Sequence, residues 1–129
     1  MHPLEQRIAA AMRDKPRIEP NGFVSGRFFF HKDFIGFSGH FPGYPILPAC
    51  VQIASAFFLI RKTTPSGLFP TLLEKAKFIL EIHPEDEVRI DCTRLPESGQ
   101  EAWKAAVYSG KDLAATFHLT FQKAGGDHE

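Results

Sequence analysis

Residues 39–48 read GHFPGYPILP: one histidine framed by two glycines and by three prolines spaced three apart. An imidazole with an ordinary pKa of about 6.5 takes up or releases a proton near neutral pH. His40 is therefore the residue here best suited to acid–base chemistry. Gly39 permits unusual dihedrals, while Pro42, Pro45 and Pro48 fix φ at three places. Physically the frame has two readings: a positioned proton-transfer group, or a turn whose histidine caps a neighbour. The other five histidines have simpler settings. His2 and His128 sit at the termini, His31 at a strand end, His83 in a turn before Pro84, and His118 on the polar face of the last strand. No two histidines form a metal-ligand spacing with a carboxylate or cysteine, and Cys50 and Cys92 are far apart, so no metal site is expected.

Bulk composition narrows the function classes. At 129 residues the chain is expected to be a single domain over 1–129, its AGGDHE tail (124–129) disordered. Fifteen basic and fifteen acidic side chains cancel, so no overall field favours nucleic acid or an anionic membrane. The longest apolar run, near residues 53–60, is far short of the roughly 20 residues of a membrane helix. No basic segment followed by a long apolar run opens the chain, so no signal peptide is read. A cytoplasmic protein with reduced thiols is the default expectation, with no cofactor. Thirteen Phe against two Tyr and one Trp could fill a core or line a slot for an apolar ligand.

The elements around the histidine follow from periodicity. Leu4, Ile8, Ala11 and Met12 share one helical face, predicting a short amphipathic helix over 3–15 that Pro16 stops. FVSGRFFFH (23–31) suits a strand. Pro48 fits the first turn of a second helix running to Lys62, apolar on nearly all sides and hence buried. Strands are expected at 72–82, at 87–95, where Val88, Ile90 and Cys92 alternate with polar residues, and at 101–109. After the SGKD turn, Leu113, Ala115, Phe117, Leu119 and Phe121 alternate strictly, predicting a closing hairpin. A long helix with an antiparallel sheet is an α+β layout, the sheet wrapping the helix.

GHFPGYPILPACVQI resembles the active-site segment of the β-hydroxyacyl-acyl-carrier-protein dehydratases, the FabA/FabZ group of the hotdog superfamily. Their usual wording is close to H-F-x-G-x-P-I/V-M/F-P-G-V/C. It is matched by His40, Phe41, Gly43, Pro45, Ile46 and Pro48, with Cys50 a residue some members use. KFILEIHPEDEVRIDC and the closing hairpin extend the resemblance to about residues 22–123. The family's first strand is read as absent, replaced by the helix 3–15. The resemblance implies a hotdog fold: a long central helix wrapped by a curved antiparallel sheet, in a dimer whose sheets join around a tunnel for a pantetheine-linked acyl chain. It implies reversible loss of water from 3-hydroxyacyl thioesters of acyl carrier protein or CoA. His40 then matches the base, and the Ile46 carbonyl matches the group orienting it. The N–H groups of Ala49 and Cys50 match the donors to the thioester oxygen, where the helix dipole adds positive potential. Phe41 and Gly43 go with them as substrate-binding positions, and Ala49 stands where the family has Gly.

A larger departure lies fourteen residues after the histidine, where the family's catalytic Asp or Glu is Ala54 here. Losing a general acid costs ~10²–10⁴-fold in rate, or roughly 3–5 kcal/mol. Cys50 shares the face of Ala54 at i−4, but a neutral thiol is a poor acid, and Cys50 is read first as a small buried hydrophobe. Gln52 points nearly opposite and is expected to hydrogen-bond a loop. In the resembled family each site takes its histidine from one subunit and its acid from the other. A homodimer would lack both acids, whereas a heterodimer with an acid-bearing paralogue would hold one complete site. The alternatives are a non-catalytic hotdog subunit binding acyl carrier protein or acyl chains, and an acyl thioesterase. Arg61, Lys62, Lys75 and Lys77 are either a patch for an acidic carrier or solvated surface. The packing of Phe57 and Phe58 would set tunnel depth.

Overall fold

The computed structural model describes residues 3–34, 37, 45–64, 67–96 and 100–123. The elements run α1 (Pro3–Ala11), β1 (Arg17–Glu19), β2 (Phe23–Phe29), α2 (Ala49–Ile60), β3 (Leu68–Phe78), β4 (Glu87–Arg94), β5 (Glu101–Ser109) and β6 (Asp112–Lys123). The strands form one antiparallel sheet in the order β1-β2-β4-β5-β6-β3. α2 packs on one face of it over β2 and β4, giving the expected α+β arrangement. Among the described residues, no helix is long and apolar enough to cross a membrane.

Period-2 alternation decides which strand residues enter the core. Val88, Ile90 and Cys92 of β4 are buried while Glu87, Arg89 and Thr93 are exposed. Trp103, Ala105 and Val107 of β5 are buried, as are Ala115, Phe117, Leu119 and Phe121 of β6. α2 contributes Val51, Ala56, Phe58, Leu59 and Ile60. The helix presses on the sheet at Gly26, where a Cβ would lie 2.6 Å from Leu59 Cδ2. Only glycine leaves room there. Gly110, at φ +60°, turns the β5–β6 hairpin.

Several boundaries differ from the periodicity. α1 ends at Ala11 rather than at residue 15, because Met12 bridges to Phe28 and the Arg13 N–H bonds the Arg27 carbonyl at 2.8 Å. A first strand is present after all: Arg17–Glu19 pairs with β2. β2 stops at Phe29, two residues short. β3 covers 68–78 instead of 72–82. Residues 68–70 extend its pairing with β6, while Ile79 and Leu80 direct their N–H groups to one carbonyl, that of Ala114. Leu113 is exposed, not buried, because a register shift opposite Val107 and Tyr108 inserts Ala114 and turns Leu113 out of phase. Pro48 is the N-cap of α2, not its first helical residue, at φ −67° and ψ 153°. The tail 124–129 lies outside the described residues.

Candidate active site

The start of α2 is built by the short segment Pro45–Pro48. The Leu47 side chain is buried, and its N–H donates to the Ile82 carbonyl at 2.7 Å. Its own carbonyl accepts from Gln52 Nε2 at 3.3 Å. Gln52 is thus the loop-bonding residue expected of it, folded back one turn onto the chain entering the helix. The Pro48 carbonyl then accepts the N–H groups of Val51 and Gln52, at 3.1 and 3.2 Å. Pro48 offers no side-chain cap. The N–H groups of Ala49 and Cys50 belong to the first turn, which has no intrahelical acceptors, and both residues are exposed. The helix therefore presents donors and the positive end of its dipole at this point.

Along α2 the same outward face continues through Ile53 and Ala54 to Phe57, all half-buried, and on to exposed Arg61. Ala54 lines a cavity of about 160 Å³ with Leu4, Glu5 and Ile8 of α1 and with Phe57 and Arg61. Its walls are largely apolar. A carboxylate enters it from elsewhere: Glu5, its side chain only 18% exposed, is ion-paired with Arg61. The Arg61 guanidinium also lies 5.2 Å from the centre of the Phe57 ring, and Phe57 rests on Phe121. Nothing local in the sequence marked Glu5; α1 had to be docked on α2 before its partner was visible.

Of the residues singled out by the resemblance, Ile46, Ala49, Cys50 and Ala54 fall within one continuous segment and the helix it opens. His40, Phe41 and Gly43 lie outside the described residues. Cys50 is not the buried hydrophobe expected but an exposed thiol one turn before Ala54. The buried thiol is Cys92, whose pKa burial pushes far above the ordinary range, with Asp91 adding to the rise. The four basic candidates divide between two elements. Arg61, the C-cap of α2, and Lys62 just beyond it form one pair, Lys62 lying 4.4 Å from the Phe58 ring centre, while Lys75 and Lys77 lie on β3. Burial, followed by Lys75 and Lys104, holds the pKa of His118 below its usual value. No group of three or more His, Cys, Asp or Glu is placed to hold a metal ion among the described residues.

With the fold and the helix start described, comparison with known proteins defines the class, the hotdog dehydratases. The model of the ApeI-like family, described as ApeI dehydratase, matches residues 17–117, and the chain belongs to that family. It is 33% identical over 94 residues to the 3-hydroxyacyl-acyl-carrier-protein dehydratase FabZ of Pelotomaculum thermopropionicum, covering 66% of each chain. FabZ of Alkaliphilus metalliredigens is 35% identical over 96 residues, covering 66% of this chain and 63% of its own. The match thus spans about two thirds of these relatives. Among solved structures, the dehydratase heterocomplex ApeI:P from Xenorhabdus doucetiae superposes with a TM-score of 0.71 at 15% identity, covering 84% of this chain and 94% of that one. The PaaI protein of E. coli superposes at 0.68 with 10% identity, covering 92% and 89%. These likenesses establish the hotdog fold.

Proposed function

We propose that this chain is a 3-hydroxyacyl-thioester dehydratase subunit that supplies the base and the oxyanion donors and takes its acid from a second subunit. The observation carrying this is the outward face of α2: a first turn with no side-chain cap from Pro48 and with exposed Ala49 and Cys50, followed one turn later by half-buried Ala54, which stands at the position of the resembled family's carboxylate. His40 removes a proton from C2 of the substrate. The Ala49 and Cys50 N–H groups hold the charge that develops on the thioester oxygen. The C3 hydroxyl leaves as water with the proton of the partner's carboxylic acid, which becomes a carboxylate, and a trans-2-enoyl thioester remains. The substrate is carried on acyl carrier protein or CoA.

Family membership supports the reaction class, and the heterocomplex assembly of the Xenorhabdus relative supports pairing of unlike subunits. The β3 edge gives a surface for such pairing. Every residue from 71 to 80 is exposed in the single chain, including Leu72, Leu73, Phe78, Ile79 and Leu80. An apolar, unpaired sheet edge of that length is a ready template for another strand. A second reading, a subunit that only binds carrier or acyl chain, is favoured by the same Ala54. The two are separated by assaying hydration and dehydration of 2-enoyl and 3-hydroxyacyl carrier thioesters, with the chain alone and mixed with an acid-bearing hotdog dehydratase. The dehydratase reading predicts turnover by the mixture above that of the partner alone, lost on His40→Ala. A mixture no more active than the partner, although the two chains associate, would leave only the binding role.

A further inference from the structure

Gln52 is nearly fully buried, at 4% exposure, in an otherwise apolar turn of α2. Its Nε2 donates to the Leu47 carbonyl, yet its Oε1 is buried with no hydrogen-bond partner among the described residues. Leaving such an oxygen unpaired costs ~1–3 kcal/mol. Methionine or leucine would fill similar space without that cost, so packing alone does not account for an amide here.

The bond it makes lies beside the group that matters. In a trans peptide the carbonyl of one residue and the N–H of the next lie in one plane and point in opposite directions. The Leu47 N–H is held by the carbonyl of Ile82, a residue 1% exposed, so the Ile46 carbonyl is aimed directly away from Ile82. Gln52 holds the next peptide plane through the Leu47 carbonyl. Both planes flanking Leu47 are thereby fixed, between two prolines whose φ is already set. We propose that Gln52 is a positioning residue, which locks Leu47 so that the Ile46 carbonyl keeps the direction needed to accept the Nδ1–H of the catalytic imidazole. This rests on the reading of His40 as base and Ile46 as its orienting group. Gln52 touches neither substrate nor imidazole; it acts through one peptide unit.

The test is the tautomer of His40, read by long-range proton–nitrogen NMR on labelled full-length chain and assigned by the signal missing in His40→Ala. The wild type is expected to show a fixed Nδ1–H tautomer. Gln52→Met and Gln52→Leu, which remove the unpaired oxygen along with the donor, are expected to fold and to show a mixture. Gln52→Glu, buried and so protonated, keeps a donor and the fixed tautomer. In the active assembly, Gln52→Met is expected to lower kcat roughly ten- to a hundredfold with KM within about threefold. A fixed tautomer that survives in Gln52→Met and Gln52→Leu would overturn the role of Gln52 and leave the functional reading standing. A wild type with the mixture of a free imidazole would overturn the pairing of His40 with Ile46, and the proposal with it.

Discussion

On the inward face of α2, Val51, Ser55, Ala56, Leu59 and Ile60 are buried under the sheet, and the one hydroxyl among them is satisfied by the Val51 carbonyl at 2.8 Å. On the outward face, Cys50, Ile53, Ala54 and Phe57 are just as apolar but exposed or half-buried, with α1 covering only the later turns. Burial explains the first set without reference to function. It explains the second only in part: Ile53, Ala54 and Phe57 pack against the rim of the core yet keep apolar surface open to water, and Cys50 is exposed. The difference separates residues kept for this chain's stability from residues kept for what meets the helix from outside.

Four substitutions or measurements probe that division. The largest effect belongs to Leu59→Ala on the inward face, expected to cost about 3 kcal/mol in urea unfolding because Leu59 is fully buried over Gly26. Next is Gly26→Ala, whose new methyl would meet Leu59 from the opposite side; overpacking should cost about 1–3 kcal/mol. Combined with Leu59→Ala it should cost less than the sum, since the two act on one space. Outward, Arg61→Met breaks the ion pair with Glu5 and should cost no more than ~1 kcal/mol, the pair being partly exposed to water. Smallest is Cys50→Ser, within about 0.5 kcal/mol. Its thiol should react readily with an aromatic disulfide reagent in the folded chain, whereas Cys92 should react only on unfolding. Equal labelling of the two thiols, or a Cys50→Ser cost matching that of Leu59→Ala, would erase the distinction between the faces.

One pH effect follows from a group outside the site. His118 has a folded pKa below its unfolded value, so the unfolded chain binds more protons as pH falls through about 6.5. Stability should therefore decline on that side, and His118→Gln should flatten the decline in unfolding curves between pH 5 and 7.

β4 and β5 were legible because alternation in a half-buried strand is a local property, and most of β6 for the same reason. Leu113 broke the rule through a bulge that only the pairing with β5 reveals. α1 was read four residues too long because Met12 and Arg13 leave the helix to pair with β2, a tertiary choice that overrides the periodicity. β3 was misplaced because an edge strand, exposed on both faces, carries no alternation to read. At the site, the positions on α2 could be read from the motif and helix spacing. The Ile82 carbonyl and Glu5 could not, since each reaches the site across a long stretch of chain. Gln52 left a trace, a polar residue inside an apolar helix, but its partner was hidden.

In the proposed dehydratase subunit, the outward face of α2 lacks one group, a carboxylate at position 54. The most direct test of this proposal is dehydration of a 3-hydroxyacyl carrier thioester by the purified chain alone, as wild type and as Ala54→Glu. The expected result is a rate ~10²–10⁴-fold above wild type in Ala54→Glu, abolished when His40→Ala is added. A folded Ala54→Glu chain no faster than wild type would contradict it.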